Sequence, residues 1–247
     1  MNSEATGSIT TSAGSSSGPS PGSRQPLTQR FVVVEGPIGV GKTALARRIA
    51  AATGAELVLE QADENPFLER FYRDPRTGAL PAQLYFLFQR ARQLQALRQA
   101  DLFAPHRVGD YLLAKDRLFA RVTLDDEEFA LYEQVYAKMA VEAPRPDLVV
   151  YLQAPVEVLL ERIVRRGIGY EQGMDRAYLE RLLDAYTGYF HRYDGSPLLI
   201  VNAAEINPAE DAGDFEDLYA VIQRTVRGRH YYHPLRSGDP LKSLRGG

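Results

Sequence analysis

Residues 31–43 read Phe-Val-Val-Val-Glu-Gly-Pro-Ile-Gly-Val-Gly-Lys-Thr. The opening residues are apolar and mostly β-branched, which is typical of a buried strand. The last eight match G-x-x-x-x-G-K-[ST], the pattern of a phosphate-binding loop (P-loop). Backbone N–H groups of such a loop can surround a phosphate chain because glycine leaves the approach open. The stretch therefore predicts a strand, a P-loop and a helix, in that order.

The predicted P-loop assigns a part to each of its polar residues. Lys42 should place a positive charge near the β- and γ-phosphates of a nucleoside triphosphate, and the Thr43 hydroxyl should bind Mg²⁺. Residues 43–53 keep a helical spacing of apolar residues, so we expect a helix whose N-terminus faces the phosphates. The residues expected to bind the triphosphate are Gly36, Pro37, Ile38, Gly39, Val40, Gly41, Lys42 and Thr43.

Composition limits the class of protein. The chain has 247 residues, of which 45% are hydrophobic and 25% charged, and this suits one large α/β domain. A net charge of −3 argues against a nucleic acid polymer as the main partner. There is no cysteine, which excludes disulfides and fits a reducing cytoplasm, and no apolar stretch approaches the roughly 20 residues that span a bilayer. We expect a cytoplasmic protein without a membrane partner.

The ends of the chain differ in composition from its middle. Residues 1–28 form a Ser/Gly-rich tract that predicts a disordered tail, and residues 228–247 read as a C-terminal extension. Between them, in 29–227, short apolar runs alternate with helical patterns, which predicts an α/β fold. Its expected form is a doubly wound five-stranded parallel sheet flanked by helices. The predicted strands are 31–34, 57–59, 108–113, 148–152 and 198–201, and the predicted helices are 43–53, 66–72, 81–100, 125–141, 155–166, 175–190 and 215–226.

Charged residues follow two of the predicted strands. Ligands of doubly wound sheets bind beyond the carboxyl ends of the strands, so these residues should face the P-loop. Glu60 follows the strand at 57–59, and Asp116 and Arg117 follow the strand at 108–113. An Asp here can hold Mg²⁺ through water, and an Arg can clamp a phosphate or keep a catalytic carboxylate ionised.

The predicted helix at 81–100 carries two polar residues near its apolar stripe. Gln83 and Arg90 lie seven residues apart, about two helical turns. A planar amide and a guanidinium at this separation could read the edge of a nucleobase. A structural glutamine that bonds the backbone is an equally good interpretation of the pattern alone.

Three arginines end the predicted helix at 155–166. Arg162, Arg165 and Arg166 are spaced i, i+3 and i+4, so they share one face. A basic last turn complements the helix dipole in any protein. In a chain with a P-loop, the same face predicts a mobile lid that neutralises the transferred phosphoryl group and excludes water.

Taken together, these motifs resemble the deoxyribonucleoside kinase family, and especially its bacterial deoxyadenosine/deoxyguanosine kinase branch. The resemblance covers roughly residues 30 to 227 and implies a P-loop kinase fold. Five motifs carry it: Glu-Gly-Pro-Ile-Gly-Val-Gly-Lys-Thr at 35–43, Asn-Pro-Phe-Leu-Glu-Arg-Phe-Tyr at 65–72, Gln-Leu-Tyr-Phe-Leu at 83–87, Asp-Tyr-Leu-Leu-Ala-Lys-Asp-Arg-Leu-Phe-Ala at 110–120, and Tyr-Glu-Gln-Gly at 170–173.

The resemblance implies a role for each candidate residue. Glu60 would be the general base for the sugar 5′-hydroxyl, and Arg117 would orient it and contact phosphate. Asp116 takes an acidic place that animal members often fill with Glu, whereas Val122 stands where some relatives have the acid that partners the base-reading Arg. The remaining implied roles are the 3′-hydroxyl for Tyr72 and Glu171, the base for Gln83 and Arg90, and a lid near 162–173 for Arg162, Arg165 and Arg166.

The reaction expected from this resemblance is transfer of the γ-phosphoryl group of ATP, or another nucleoside triphosphate, with Mg²⁺. The acceptor would be the 5′-hydroxyl of a deoxyribonucleoside, purine favoured, in nucleotide salvage, and the protein would be a homodimer. A thymidylate-kinase-like monophosphate kinase is the first alternative, although such enzymes typically show an Asp-Arg-Tyr-type segment. A non-catalytic nucleotide-binding subunit is the second, and joint retention of Lys42, Glu60 and Arg117 speaks against it.

Overall fold

A computed structural model describes residues 27–99, 106–139 and 143–234 of the chain. Its centre is a sheet of six strands in the order β2-β3-β1-β4-β5-β6, with every neighbouring pair parallel. The P-loop follows β1, which lies between β3 and β4, where the strand order of a doubly wound sheet reverses. The strands are β1 Phe31–Glu35, β2 Glu56–Val58, β3 Arg107–Gly109, β4 Leu148–Gln153, β5 Leu198–Asn202 and β6 Arg229–Tyr232.

Helices cover both faces of the sheet, which is why the central strands are apolar throughout. On one face α1 and α8 pack on Val150 and Leu152 of β4, and on the other α7 packs on Val149 and Tyr151. A third group, α2, α3 and α5, forms a core of its own with part of α4. The helices are α1 Lys42–Thr53, α2 Leu68–Arg73, α3 Pro75–Gln99, α4 Ala114–Thr123, α5 Asp126–Met139, α6 Val156–Arg166, α7 Arg176–Arg192 and α8 Ala212–Arg224, with short 3₁₀ turns at Ala62–Glu64 and Gly169–Glu171.

The predicted doubly wound α/β fold is confirmed, but the sheet has six strands rather than five. The additional strand, β6, lies in the stretch predicted as an extension, and it pairs with β5 from Leu198↔Arg229 to Val201↔Tyr232. Its residues are exposed or half-buried, so it lacks the apolar run that marks the other strands. Strand β6 is therefore identified by its backbone pairing with β5. Residues 235–247 lie outside the described part of the chain.

The predicted strand at 108–113 was too long. Pairing with β1 ends at Gly109, and the backbone then leaves the sheet because the Leu112 N–H donates to the Glu35 carboxylate at 2.8 Å. Tyr111 and Leu113 are buried in a cluster with Leu94 and Leu97 of α3 and with Val58 of β2. Helix α4, which was not predicted, follows at once and carries the residues expected at the strand end.

Two further boundaries in the structure differ from the predicted ones. Helix α3 begins at Pro75 and runs through Pro81, which was predicted as its first residue. At the N-terminus, Leu27 was counted in the tail but is buried in the main core, and Gln29 donates to two carbonyl oxygens at the end of α8. Residues 1–26 lie outside the described ranges. No helix in the described part of the chain is long and apolar enough to cross a membrane.

Candidate active site

The P-loop is shaped by glycines with positive φ angles. Gly36 has φ 149° and Gly39 has φ 82°, in the region that side chains other than glycine rarely adopt. A Cβ at Gly36 would lie 2.5 Å from the Leu152 carbonyl oxygen, and one at Gly39 would lie 2.9 Å from the Leu159 carbonyl oxygen. Strand β4 and helix α6 therefore press against the loop, which fixes its curvature around the phosphate position.

The two polar residues that end the P-loop motif point towards different partners. The Lys42 ammonium donates to the Pro37 carbonyl oxygen at 2.9 Å, back across the loop. Burial and the neighbouring Lys115 lower the pKa of Lys42 to about 8. The Thr43 hydroxyl donates to Asp110 Oδ2 at 2.5 Å, and Asp110 Oδ1 accepts the Glu60 backbone N–H at 2.8 Å. Asp110 thus joins the P-loop to the strand-end segment that carries Glu60.

Glu60 lies between two buried cations. Its Oε2 accepts from Lys115 Nζ at 2.6 Å, and its Oε1 accepts from Arg90. Burial alone would raise the pKa of Glu60, but Arg90 and Lys115 outweigh it and hold that pKa well below the ordinary value. Glu60 is therefore a carboxylate at neutral pH.

The structure separates Arg117 from Glu60. The Arg117 guanidinium is 53% exposed and binds the Glu133 carboxylate of α5 through two bonds of 2.8 and 2.6 Å. Arg117 and Lys115 lie on different faces of α4, so that Lys115 points inward and Arg117 outward. Lys115, not Arg117, contacts Glu60 in this structure, and the role that the resemblance gave to Arg117 stays a prediction.

Asp116 is also displaced from its predicted position. It was expected beside Thr43 as a magnesium ligand, but its carboxylate is fully buried and accepts from Arg90. Burial raises the pKa of Asp116 to about 6 against the opposing effect of Arg90. Asp116 is therefore the acid that pairs with Arg90, for which the sequence offered no evident candidate at Val122. Asp110, not Asp116, lies at Thr43.

A single cavity brings the P-loop and these charged residues together. Within the described residues, several polar atoms in and beside the cavity are buried without a partner, namely Gln83 Oε1, Arg90 Nε, Asp116 Oδ2 and Tyr178 OH. Buried polar atoms are nearly always bonded, so these atoms point to a polar ligand in the cavity. The cavity is lined by Ile38, Gly39, Lys42, Thr43, Glu60, Ala62, Leu68, Phe71, Tyr72, Ala82, Gln83, Phe86, Arg90, Asp110, Lys115, Phe119, Arg166, Glu171 and Tyr178.

Tyr72 of α2 and Glu171 of the segment after α6 line the same cavity. Burial raises the pKa of Tyr72 well above its ordinary value, so its hydroxyl stays protonated. The Tyr72 ring stacks on Tyr170 with centroids 5.5 Å apart, and the Tyr170 hydroxyl donates to Asp63 at 3.2 Å. These contacts join α2 to the segment that bears Glu171.

The three arginines of α6 have different surroundings. Arg162 donates to the carbonyl oxygens of Val40, Ala203 and Ile206 at 3.3, 2.7 and 3.2 Å, which fixes it beside the outer wall of the P-loop. Arg166 reaches the other way and pairs with Glu171. Arg165 is exposed, and all three line a second cavity that adjoins Gly39 to Gly41.

Similarity to known proteins shows the family of the chain. A family model described as "Deoxynucleoside kinase" matches residues 32–227. The chain belongs to the deoxynucleoside kinase family. It is 32% identical over 160 residues to a deoxyguanosine kinase of Bacillus subtilis (strain 168), covering 64% of this chain and 77% of that protein. It is 29% identical over 213 residues to a deoxyadenosine kinase of Lactobacillus acidophilus, covering 80% and 97% respectively.

Solved structures of the family agree with the fold. A deoxyadenosine kinase from M. mycoides with bound dCTP superposes with a TM-score of 0.67 at 25% identity, over 78% of this chain and 98% of that one. The same kinase with products dCMP and a flexible dCDP bound gives a TM-score of 0.68 at 25% identity. As a deoxynucleoside kinase, the chain is a nucleotide-binding phosphotransferase.

Sequence reasoning missed two residues of this site. Asp110 and Lys115 were both quoted within a motif, but neither received a role. Ending the strand at Gly109 would have placed Asp110 directly at the strand terminus. Arg117 and Arg121 are spaced i, i+4, so they share one face of α4, and both are exposed in the structure. That spacing predicts an outward face for the two arginines and an inward direction for Lys115.

Proposed function

We propose that the chain transfers the γ-phosphoryl group of ATP to the 5′-hydroxyl of a deoxyribonucleoside, with purine bases favoured, as a step in nucleotide salvage. The observation that carries this proposal is the single cavity lined by Lys42, Glu60 and Gln83. It joins a phosphate site, a carboxylate base and a base-reading amide in one space. The names of two relatives, a deoxyguanosine kinase and a deoxyadenosine kinase, support the purine preference.

Glu60 is the proposed general base. The 5′-oxygen of the nucleoside attacks the γ-phosphorus, the bond between that phosphorus and the leaving oxygen of ADP breaks, and the hydroxyl proton passes to Glu60. Lys115, at 2.6 Å from Glu60, orients the carboxylate. Lys42 places its charge at the phosphate chain, where negative charge develops during transfer.

The residues beside the P-loop fit a magnesium ion. The Thr43 hydroxyl and the Asp110 carboxylate are in contact, and both supply the oxygen donors that Mg²⁺ prefers. Thr43 and Asp110 are the proposed holders of the metal, with Asp110 acting through water. When bound, the ion neutralises charge on the phosphate oxygens.

The sugar and base take the remaining parts of the cavity. Tyr72 and Glu171 are the proposed partners of the 3′-hydroxyl, and Gln83 with the Arg90–Asp116 pair is the proposed reader of the base edge. The unpartnered atoms of Gln83, Arg90 and Asp116 supply one donor and two acceptors for that edge. Arg162, Arg165 and Arg166 are the proposed lid over the phosphates.

The acceptor range tests the proposal. Labelled ATP is incubated with each of the four deoxynucleosides and, separately, with the four corresponding deoxynucleoside monophosphates. We expect labelled monophosphate from the purine deoxynucleosides, and no product with the Lys42→Ala variant. Phosphorylation of the monophosphates alone would contradict the proposal and favour a monophosphate kinase.

We also propose a cytoplasmic homodimer that associates through α3 and α5. Phe88 on α3 is 43% exposed and Leu131 on α5 is 48% exposed, and these two helices are packed against each other. Large apolar side chains on adjoining helices favour association with a matching surface. Light scattering should give twice the mass of one chain, and a Phe88→Glu/Leu131→Glu variant should halve it. A mass of one chain for the unmodified protein would contradict this assignment.

A further inference from the structure

Arg90 contacts residues at two ends of the cavity. The proposed reaction places the nucleobase at one end and the reacting 5′-hydroxyl, with Glu60, at the other. One terminal nitrogen donates to Asp116 at the base end, and the other donates to Glu60 at the reacting end. The side chain is only 3% exposed, and its third nitrogen, Nε, has no partner. One buried guanidinium is thus shared between base recognition and the catalytic carboxylate.

This sharing limits what Glu60 can do in the empty cavity. Both of its oxygens are engaged by cations, Oε1 by Arg90 and Oε2 by Lys115. A carboxylate neutralised on both sides is a weak proton acceptor, because protonation would leave two buried cations with less compensation. A group must therefore draw Arg90 away from Oε1 before that oxygen accepts a proton, while Lys115 holds Oε2 in place.

The nucleobase is the group placed to do this. Arg90 lines the cavity and is bonded to Asp116, so the polar edge of a base would meet Arg90 Nε, which is buried and unpartnered in the described structure. New bonds at that end compete with the Glu60 bond for the same guanidinium. Within the described residues, the Lys115 side chain donates a hydrogen bond to Glu60 and none to Asp116, whereas Arg90 donates to both.

We propose that Arg90 is a positioning residue that restrains Glu60 until a nucleobase occupies the cavity, so that base recognition controls the phosphoryl-transfer step as well as binding. The inference rests on the proposed function and adds a cause for base selectivity in kcat. The restraint of Glu60 by Arg90 would also limit ATP hydrolysis by the enzyme when no nucleoside is bound. In that side reaction a water oxygen would bond to the γ-phosphorus, ADP would leave, and the water proton would pass to Glu60.

The first test needs only the unmodified enzyme. Initial rates are measured with deoxyadenosine, deoxyguanosine and purine 2′-deoxyriboside, which keeps the purine shape but has no polar group at position 6. We expect purine 2′-deoxyriboside to lower kcat by about tenfold or more relative to the better natural purine, beyond any change in KM. A change confined to KM would overturn the proposal. Absence of product from every nucleoside would instead contradict the proposed function.

The second test removes the shared cation. Arg90→Met/Asp116→Asn removes one positive and one negative buried group together, which avoids an unpaired carboxylate at the base end. The variant should give similar kcat values for the natural purine and purine 2′-deoxyriboside. Its ATP hydrolysis without nucleoside should rise about threefold or more, an effect that loss of a base contact alone would not produce. Unchanged hydrolysis in the folded variant would overturn the proposal.

Arg92→Met is the matched control for loss of an arginine. Arg92 is an exposed residue of the same helix, α3, and it lies outside the cavity. This variant should keep the unmodified values of kcat, of the ratio between the two purine substrates and of nucleoside-independent hydrolysis. A rise in hydrolysis equal to that of the Arg90→Met/Asp116→Asn variant would show that loss of any arginine from α3 has this effect, and would overturn the proposal.

Discussion

At the residue scale, Lys115 and Arg117 are the two candidates for the cation that orients Glu60. Lys115 is buried at 2.6 Å from the carboxylate, whereas Arg117 is held by Glu133 on the surface. We expect Lys115→Met to lower kcat by about 10²-fold, because Glu60 loses the partner that fixes one of its oxygens. Steady-state kinetics with saturating ATP and deoxynucleoside measures this change.

Arg117→Met is the matched comparison for Lys115→Met. An exposed ion pair contributes about 1 kcal/mol or less to stability, so this variant should keep its fold and a kcat within about twofold of the unmodified enzyme. A larger loss of kcat for Arg117→Met than for Lys115→Met would restore the role that the sequence resemblance assigned to Arg117.

Gly39 gives a second prediction at this scale. A methyl group there would meet Ile163 Cγ1 at 2.8 Å and the Leu159 carbonyl oxygen at 2.9 Å, at a φ of +82°. Gly39→Ala should lower the free energy of unfolding by about 3 kcal/mol, combining backbone strain with overpacking. Gly54→Ala is the control, because Gly54 has φ +73° but nothing within 4 Å. It should cost only the strain, about 1 kcal/mol. The free energies of unfolding are measured by urea denaturation. Equal losses for Gly39→Ala and Gly54→Ala would contradict a packing effect at Gly39.

At the scale of elements, the sugar site depends on contact between α2 and the segment after α6. Tyr72 and Glu171 come from these two places and line one cavity. A site that bonds a hydroxyl leaves its own polar groups unpaired when the hydroxyl is missing. We therefore expect a 2′,3′-dideoxynucleoside to have a kcat/KM at least about tenfold below that of the deoxynucleoside, and Tyr72→Phe to narrow the gap. Equal kcat/KM values in the unmodified enzyme would argue against these partners.

Most elements could be predicted from the sequence because their apolar periodicity reports burial against the sheet. The exceptions lie where something else provides the burial. Tyr111 and Leu113 look like strand residues, but α3 covers them, so the strand was extended too far and α4 was missed. The same error hid the roles of Asp110 and Lys115. Strand β6 was missed because it is held by backbone pairing with β5 and has few apolar side chains.

At the scale of the whole molecule, the core includes Leu27, which lies before residue 29, the predicted first residue of the domain. Leu27 is 2% exposed in the main core, and Gln29 bonds to the Ile222 and Thr225 carbonyl oxygens at 3.0 Å each. Removing residues 1–26, a Ser/Gly-rich tract, should leave the melting temperature and kcat unchanged. Removing residues 1–29 should lower the free energy of unfolding by about 3 kcal/mol, through lost burial and lost hydrogen bonds. Equal stability of the two truncated proteins would contradict a stabilising role for residues 27–29.

The fold brings a P-loop and Glu60, the proposed general base, to one cavity. This role of Glu60 predicts the kcat of the Glu60→Gln variant, which is measured with saturating ATP and purine deoxynucleoside, and ATP binding by the same variant is measured by calorimetry. The change keeps the size of the side chain and removes its basicity, so kcat should fall by roughly 10²–10⁴ while ATP affinity is retained. An unchanged kcat, or an equal loss of ATP affinity, would contradict the account.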